Sequence, residues 1–577
     1  MNFKPHFPIL SWLPGYNKSL LKTDLSAGFT VGVMLIPQGM AYAMLAGLNP
    51  IHGLYASTLP LLLYAIFGTS RQLAVGPVAM VSLLTAAGIS ALNPDEPSQF
   101  LLYALTLAFM VGLFQWGMGM LRMGFMVNFI SHPVISGFTS AAAIIIGLSQ
   151  LKHILGISLP NSSHIQEVLP VLVTQLPKTH LLTFTVGVVG ILAIKLAKKI
   201  HPALPAPFVA VILGILATYL FRLDLVGVGI VGNVPGGFLG FTLPSFSGEL
   251  WGALLPVALT IALIGFAESY AVARAIQAKH KDYQLNANQE LKALGMANFG
   301  AAVFNGYPVT GGFSRTAVNH EAGAKTGMAA IFSAVVVMLT LLFFTDLFYY
   351  LPNAILAAVI MVAVYGLIDL KSPVELWKKD KMDFTMLLVT FLFTLTLGIE
   401  TGIIAGMLLS LVAIIYKASK PHMAQLGRVP GSTIFRNISR FETLEVNPAI
   451  LVARVDGPLY FANVQYIKEK MDAWIADRRG KVHSIVFDME SITGLDSTGI
   501  HALMDWVKEW NGAGIRFCIA GARGPIRDIM VKWGLIETLR NENIFIDDHS
   551  AVQVLEKKEA DNPTDSYAIQ SNTRKIN

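Results

Sequence analysis

Long runs without Asp, Glu, Lys or Arg alternate with short polar breaks through the first 420 residues of the chain. A helix that crosses a bilayer needs about 20 mostly apolar residues, so each run of that length predicts one crossing. The uncharged but Gly- and Pro-rich stretch 225–248 instead predicts an external loop. The runs that predict membrane segments are 25–70, 72–94, 97–121, 123–151, 179–194, 200–221, 250–267, 293–314, 326–345, 347–368 and 384–416.

Breaks inside these runs set the number of segments. Residues 25–70 divide at Asn49–Gly53 into two spans. A single helix over 384–416 would be about 50 Å long, too long for one crossing, so a hairpin at Glu400 predicts two short spans. Adding a separate helix around 288–304 brings the number of membrane segments predicted from the sequence to fourteen.

Composition separates the chain into two parts. Apolar residues make up 54% and charged residues only 14% of the whole, which argues for a polytopic membrane protein and against a soluble enzyme. Residues 1–430 hold 40 charged side chains, whereas the last 147 residues hold 38. With the N-terminus inside and alternating crossings, inside loops receive eighteen Lys and Arg and outside loops three. This positive-inside bias predicts that both termini are cytoplasmic.

Two of the predicted segments begin with residues that disfavour a helix. In the third segment Pro77 keeps Gly76 out of helical geometry, so an extended lead-in, 72–76, precedes a helix that starts within the membrane. In the tenth segment the glycines and proline of 305–312 have the same effect before a helix from Phe313. Broken segments at matching places in two sets of seven indicate an inverted-repeat transporter with a midplane site.

Helices that begin within the membrane present unpaired N–H groups and a partial positive charge, which suits an anion. Arg315 adds a full positive charge at the second helix start. Gln38 and Tyr42, one turn apart on the first span, either line this pocket or make polar contacts between helices. Ordinary kinked spans are the alternative, but two breaks in register favour a site.

Glu268 lies in an apolar run in the eighth segment, where an ionisable group is costly and normally faces the protein interior or a water path. Three interpretations of the role of Glu268 stay open. Glu268 and Arg315 neutralise each other, or protonation of Glu268 frees Arg315 for an anion, or Glu268 binds Na⁺. The sequence has neither a cluster with metal spacing nor a catalytic or nucleotide-binding motif, so we expect no enzyme activity, no bound metal and no cofactor apart from a co-transported H⁺ or Na⁺.

The last part of the chain alternates strand and helix patterns, which predicts a small α/β domain. Its second helix follows Asp496, Ser497 and Thr498, which are typical N-cap residues. The structural interpretation of this motif is a helix cap. Binding or modification of Ser497 or Thr498 is the added hypothesis.

Four short motifs carry a resemblance to known proteins: Pro50–Tyr55, Val75–Ala79, Phe313–Thr316 and Leu495–Gly499. In them the chain resembles the SulP family of anion transporters, which includes the solute-carrier-26 exchangers and plant sulfate transporters, and the last motif is similar to the loop of STAS domains. The resemblance covers nearly the whole chain. It implies a 7+7 inverted repeat with a core (segments 1–4 and 8–11), a gate (5–7 and 12–14), elevator motion and a homodimer. It assigns substrate binding to Gly76, Pro77, Val78, Ala79, Met80, Gly312, Phe313, Ser314 and Arg315, with Gln38 and Tyr42 facing them, and assigns the coupling ion to Glu268.

The domain boundaries follow from these patterns. We expect an N-terminal cytoplasmic segment, a transmembrane domain in two repeats (about 25–222 and 250–418), a linker, a STAS domain and a disordered tail. Their ranges are 1–24, 25–420, 421–448, 449–560 and 561–577. The absence of the long insertion of animal relatives indicates a bacterial source, and therefore the inner membrane.

The leading hypothesis is proton-coupled sulfate uptake, because an acid together with Arg315 resembles the proton-coupled members, whereas the sodium–bicarbonate relatives have Asp and lack the Arg. Na⁺-coupled bicarbonate symport, chloride or bicarbonate exchange, dicarboxylate transport and a channel on the same fold stay open. A membrane-anchored signalling protein, with a protein partner for its STAS domain, is the rival outside transport.

Overall fold

The computed structural model describes residues 7–94, 96–129, 131–160, 164–200, 205–234, 236–237, 240–280, 282–478 and 480–558. The chain forms two compact units, Met1–Ser410 and Leu411–Asn577. The predicted tail, 561–577, lies outside the described residues.

The described residues of the first unit form helices and two short strands, β1 (Val75–Gly76) and β2 (Thr310–Gly311). Its helices are α1 (Ile9–Trp12), α2 (Lys18–Leu45), α3 (Pro50–Tyr55), α4 (Leu59–Phe67), α5 (Ala79–Ser90), α6 (Pro97–Met120), α7 (His132–Leu155), α8 (Ile165–Gln175), α9 (Leu181–Ile200), α10 (Ala206–Phe221), α11 (Gly248–Gln277), α12 (Ala287–Val303), α13 (Phe313–Glu321), α14 (Met328–Phe343), α15 (Asn353–Tyr365), α16 (Lys371–Lys379), α17 (Lys381–Leu397) and the first part of α18 (Ile399–Ser419), whose last residues belong to the second unit.

Fifteen of these helices correspond to the fourteen predicted segments, with α3 and α4 together forming the second. Within the described ranges, six spans (α2, α3–α4, α6, α7, α9 and α11) are apolar and long enough to cross a bilayer by themselves. The half-helices α5 and α13 are shorter because each begins only after an extended lead-in. Gly398, at φ +98°, separates α17 from α18, which confirms the predicted break beside Glu400.

Packing divides the helices into two groups. In the core, α12 packs on α4 and α6, and α14 packs on α2. In the gate, α7 packs on α15 and α17, and α9 packs on α10 and α15. Contacts of α2 with α10 and α15 join the groups. The amphipathic helices α8 and α16 were not predicted, because only charge-free runs were considered as membrane segments.

The second unit contains a six-stranded sheet in the order β4-β3-β5-β6-β7-β8. Strands β5 to β8 are parallel, and β3 and β4 extend the sheet in antiparallel fashion. Apolar clusters cover both sheet faces. The elements are β3 (His422–Arg428), β4 (Phe435–Asn437), β5 (Ile450–Asp456), α19 (Val464–Asp477), β6 (Ser484–Asp488), α20 (Ser497–Gly512), β7 (Arg516–Ala520), α21 (Gly524–Lys532), α22 (Leu535–Leu539), β8 (Ile544–Phe545) and α23 (Asp548–Lys558).

The structure differs from the sequence prediction at the start of this unit. Residues 421–448, predicted as a linker, contain β3 and β4, and β3 pairs with β5 from His422↔Asp456 to Leu426↔Val452. The polar composition of β3 and β4 concealed them. A strand in the antiparallel part of a sheet pairs through its backbone and needs apolar side chains only on the face that it buries, and on β3 Ala424 and Leu426 are buried.

Candidate functional site

The two lead-ins of the half-helices pair with each other in the middle of the core. Val75 lies opposite Gly311 and Gly76 opposite Thr310 in an antiparallel pair. Gly76 has a φ of +155°, which only glycine adopts readily. Because α5 and α13 begin two or three residues after this pairing, their N-terminal ends meet at one place, as the broken segments predict.

Arg315 lies between these two helix ends and is 1% exposed. Its Nη1 donates a hydrogen bond of 2.7 Å to the Pro77 carbonyl. Its Nε and Nη2 are buried without a partner in the described part of the chain. A Cβ added to Gly312 would lie 2.7 Å from the Arg315 Cζ, so a larger residue there would displace the guanidinium group. The free Nε–Nη2 edge is the edge that binds two oxygens of one oxyanion.

Glu268 on α11 presents its carboxylate to the same region. Its Oε2 is buried without a hydrogen-bond partner among the described residues. Glu268 and Arg315 interact electrostatically, but across the described ranges no ion pair within 4.0 Å joins them. The two groups therefore act on each other across a gap and form no contact ion pair in this structure.

The remaining predicted site residues divide into buried and exposed sets. Gln38 and Tyr42 are 4% and 5% exposed, and Tyr42 interacts electrostatically with Arg315. The Gln38 Oε1 has no partner among the residues described. Phe313 is 62% exposed and Ser314 is exposed as well, so the first turn of α13 is buried only on its Arg315 side. Val78, Ala79 and Met80 are buried at the start of α5.

A network of buried polar residues that the sequence analysis missed holds the second lead-in. The Asn298 amide on α12 bonds both the N–H and the carbonyl of Val309, at 2.8 and 3.0 Å. It also donates to Gln115 on α6, which donates to the Ala262 carbonyl of α11. A polar residue in the middle of an apolar span was the available signal, as it was for Glu268.

Ser269, next to Glu268, joins α11 directly to the second lead-in. Thr310 Oγ1 donates to the Gly265 carbonyl at 2.6 Å and thereby uses its only proton. The 2.6 Å hydrogen bond between the two hydroxyl groups is therefore donated by Ser269, whose Oγ also accepts from the Gly311 N–H at 2.7 Å. The helix that carries Glu268 is thus fixed to the strand that leads to Arg315.

Two other buried acids, Asp24 and Glu290, differ from Glu268 because donors surround them. Asp24 accepts hydrogen bonds from the Lys325 and Thr326 N–H groups and from the Thr326 hydroxyl group. Glu290 accepts from Tyr64, from the N–H and hydroxyl groups of Thr69, and from the Ser70 N–H group. These acids fix loops, which leaves Glu268 as the acid with a buried free oxygen at this site.

In the second unit, Asp496 caps α20 by accepting from the Gly499 N–H at 2.7 Å. Its other oxygen accepts from the Phe461 N–H. Ser497 and Thr498 are exposed at the helix start. The capping interpretation is confirmed, and no group of three or more His, Cys, Asp or Glu within the described ranges could hold a metal ion.

Comparison with known proteins shows which class this geometry belongs to. Residues 21–390 match the model of the Sulfate permease family, and residues 443–551 match that of the STAS domain. The chain is 38% identical over 566 residues to Sulfate transporter 4.1, chloroplastic, of Arabidopsis thaliana, covering 95% of this chain and 82% of that protein. Sulfate transporter 3.1 of the same plant is 35% identical, covering 91% of this chain and 83% of that protein.

Solved structures show the same architecture. The structure of murine solute carrier 26 family member A9, an anion transporter in the inward-facing state, matches with a TM-score of 0.88 at 26% identity, over 96% of this chain and 94% of that one. The transmembrane domain of a cyanobacterial bicarbonate transporter, BicA, has a TM-score of 0.61 at 24% identity, over 68% of this chain and 98% of that one. The second match concerns the fold alone.

The fold and site define a multi-pass membrane permease, built as a 7+7 inverted repeat with a C-terminal STAS domain. The chain belongs to the sulfate permease family. The predicted family and fold class are confirmed.

Proposed function

We propose that the protein is a secondary active transporter that carries sulfate into the cell by proton symport. The observation that carries the proposal is the unpartnered Nε–Nη2 edge of Arg315, buried between two helix N-termini and close to an unpaired Glu268. Two parallel N–H groups match two oxygens of a tetrahedral oxyanion, whereas a halide offers one point of contact. The names of the plant relatives support the same substrate.

Coupling follows from the shared electrostatics of the site. An ionised Glu268 offsets the positive charge of Arg315, so a divalent anion binds weakly beside it. A protonated Glu268 removes that repulsion and gains an O–H group that can donate. Protonation and sulfate binding therefore favour each other, and by linkage each stabilises the other. The core, carrying both groups, moves as an elevator against the gate, and two copies form the working dimer.

The positive-inside bias supports an orientation with both termini in the cytoplasm, and the lack of the long insertion of animal relatives supports a bacterial inner membrane as the location. The STAS domain then faces the cytoplasm, where Ser497 and Thr498 are accessible to a regulatory protein or to modification. The transport domain contacts membrane lipid on its outer surface.

Sulfate uptake into proteoliposomes with an imposed pH gradient tests the proposal. An inward proton gradient should drive accumulation above equilibrium, and equal uptake with and without the gradient would contradict symport. Glu268→Gln should abolish gradient-driven accumulation while sulfate exchange continues, because glutamine imitates the protonated acid. Competition by bicarbonate, chloride and fumarate, with and without Na⁺, separates the other substrates and the Na⁺-coupled alternative.

A further inference from the structure

Helix α16 connects the gate helices α15 and α17, and the described residues of the first unit leave it uncovered. None of its nine residues is buried. It follows α15 and directly precedes α17, so it lies where the chain leaves and re-enters the membrane. A short helix in this position either projects into water or lies on the membrane surface.

One face of α16 is apolar and exposed. Leu370, Val374 and Trp377 are 76%, 58% and 59% exposed, and their spacing of four and three residues places them on one side of the helix. The Trp377 ring contacts the Phe384 ring of α17 with centroids 4.9 Å apart, which leaves most of the indole uncovered. A helix in water would bury such a face, whereas a helix in a membrane interface turns it to the acyl chains.

Lysines border this apolar face. Lys371 and Lys378 each follow a residue of the stripe by one position and are exposed. Lys379 lies on the other side of the helix, where it forms an ion pair of 2.6 Å with Glu375, and Lys381 begins α17. A shallow cavity of about 400 Å³ is lined by Leu370, Lys371, Val374, Glu375, Lys378 and Lys379. Aliphatic lysine stems can lie along such a surface while their ammonium groups reach lipid headgroups.

Hydrogen bonds fix the start of α16 to the gate. Asp369 accepts from the N–H groups of Lys371 and Ser372, each at 3.0 Å, and from the Ser136 hydroxyl of α7 at 2.8 Å. The Asp369 N–H donates to Ser140 of the same helix. Burial acts to raise the pKa of Asp369, but the hydrogen bonds outweigh it and lower the pKa to about 2. The carboxylate is therefore ionised at neutral pH and holds α16 beside α7.

We propose that α16 lies in the membrane interface, with Leu370, Val374 and Trp377 at the acyl-chain boundary and Lys371 and Lys378 bound to headgroups of anionic phospholipids. The charge of the lysines selects anionic lipids, and tryptophan is typical of this layer. Because membrane helices tether α16 at both ends, nine residues suffice where a free helix would need more binding energy. The contact holds the gate at a fixed depth.

The depth of the apolar face is the first test. The chain has one cysteine, Cys518, which is buried, so Val374→Cys provides a selective site for an environment-sensitive dye in the full-length protein. Lys379→Cys is the matched control, because five residues place it about 140° around the helix. In vesicles, we expect the dye at position 374 to be quenched by lipids brominated on their acyl chains, and the dye at position 379 by aqueous iodide.

Two results would overturn the interface position. Equal iodide quenching at both positions means that α16 projects into water. A dye at position 374 that neither iodide nor brominated lipid reaches means that protein covers the face, such as a second copy of the chain. Retained sulfate uptake by both variants shows that they are folded.

The lipid charge is tested separately in the Val374→Cys background. Brominated phosphatidylglycerol should quench the dye more than brominated phosphatidylcholine at equal mole fraction. Lys371→Gln with Lys378→Gln should remove this preference, since each lysine changes anionic lipid partitioning roughly fivefold. Lys470→Gln with Lys508→Gln, at exposed positions on α19 and α20, should leave it unchanged. Equal quenching by both lipids without these substitutions would overturn the headgroup assignment.

Discussion

The two half-helices of the transport domain meet at one site, but different parts of the chain hold their lead-ins. Side chains of one helix, α13, make most of the side-chain hydrogen bonds to the backbone of the first lead-in, although the Leu73 N–H also donates to Ser70 and Tyr283 donates to the Gln72 side chain. The α13 side chains contact backbone atoms of the lead-in at distances of 2.7 to 3.1 Å: Arg315 to Pro77, Thr316 to Ala74 and Asn319 to Gln72. The first half-helix therefore takes its position from the second.

The second lead-in is bound by the surrounding core instead. Asn298 of α12 bonds both backbone groups of Val309, and Ser269 of α11 bonds Gly311 and Thr310. An inverted repeat thus reproduces the backbone path of a half-helix without reproducing its supports. A substitution that removes a support of the second lead-in should displace the N-terminal ends of both half-helices. A substitution of Thr316 should displace only that of the first half-helix.

Arg315→Ala should have the largest effect on transport, because Arg315 lies on the second half-helix and binds the Pro77 carbonyl just before the first. It removes the buried charge at the site and the hydrogen bond to Pro77, and truncation of a buried charged group costs about 2–5 kcal/mol. We expect sulfate uptake to fall by about 100-fold or more. Arg315→Lys keeps the charge but not the Nε–Nη2 edge. Near-normal uptake by the lysine variant would contradict a two-oxygen contact.

Asn298→Leu should follow, since it removes the support of the second lead-in. The Val309 N–H and carbonyl and the Gln115 amide would lose partners in an apolar interior, at about 1–3 kcal/mol for each unsatisfied group. We expect a lower unfolding temperature in detergent and a lower maximal rate of uptake. If stability falls while the maximal rate is kept, the second lead-in is not what positions both helix ends.

Glu290→Gln should weaken the hydrogen bonds of Thr69 and Ser70, which lie just before the first lead-in. One amide replaces a carboxylate that accepts four hydrogen bonds from Tyr64, Thr69 and Ser70, and hydrogen bonds to charged groups contribute about 1.5–3 kcal/mol each. Because glutamine keeps one acceptor, we expect a moderate loss of thermal stability with coupling to pH unchanged. A loss of proton coupling equal to that of Glu268→Gln would show that Glu290 titrates during transport.

Thr316→Val should have the smallest effect on transport, and the effect should be confined to the KM for sulfate. Valine keeps the shape of threonine but leaves one group, the Ala74 N–H, without its acceptor, at about 1–3 kcal/mol. We expect the KM for sulfate to rise several-fold with little change in the maximal rate or the unfolding temperature. Thr316→Ser, which keeps the hydroxyl group, should restore the KM. Similar KM values for the two variants would contradict a positioning role.

Much of the membrane domain could be predicted because each segment is encoded locally. Charge-free runs of about 20 residues give spans, and Gly and Pro at 72–77 and 305–312 give the two broken helices. Arg315 and Glu268 were found because ionisable groups are rare in such runs. Helix α16 was not predicted because its lysines interrupt the apolar pattern. Strand β3 was not predicted because its pairing depends on its neighbour.

The amino-acid sequence alone determined the number of membrane segments, the two interruptions and the identity of the charged residues between them, since hydropathy and backbone restriction act over a few neighbouring residues. Only the tertiary structure decided that Glu268 and Arg315 share a site without forming an ion pair, and that Asn298 and Ser269 hold one lead-in while Thr316 and Asn319 hold the other. Those choices depend on hydrogen-bond partners distant in sequence, up to 247 residues apart for Asn319 and Gln72, which only folding brings together.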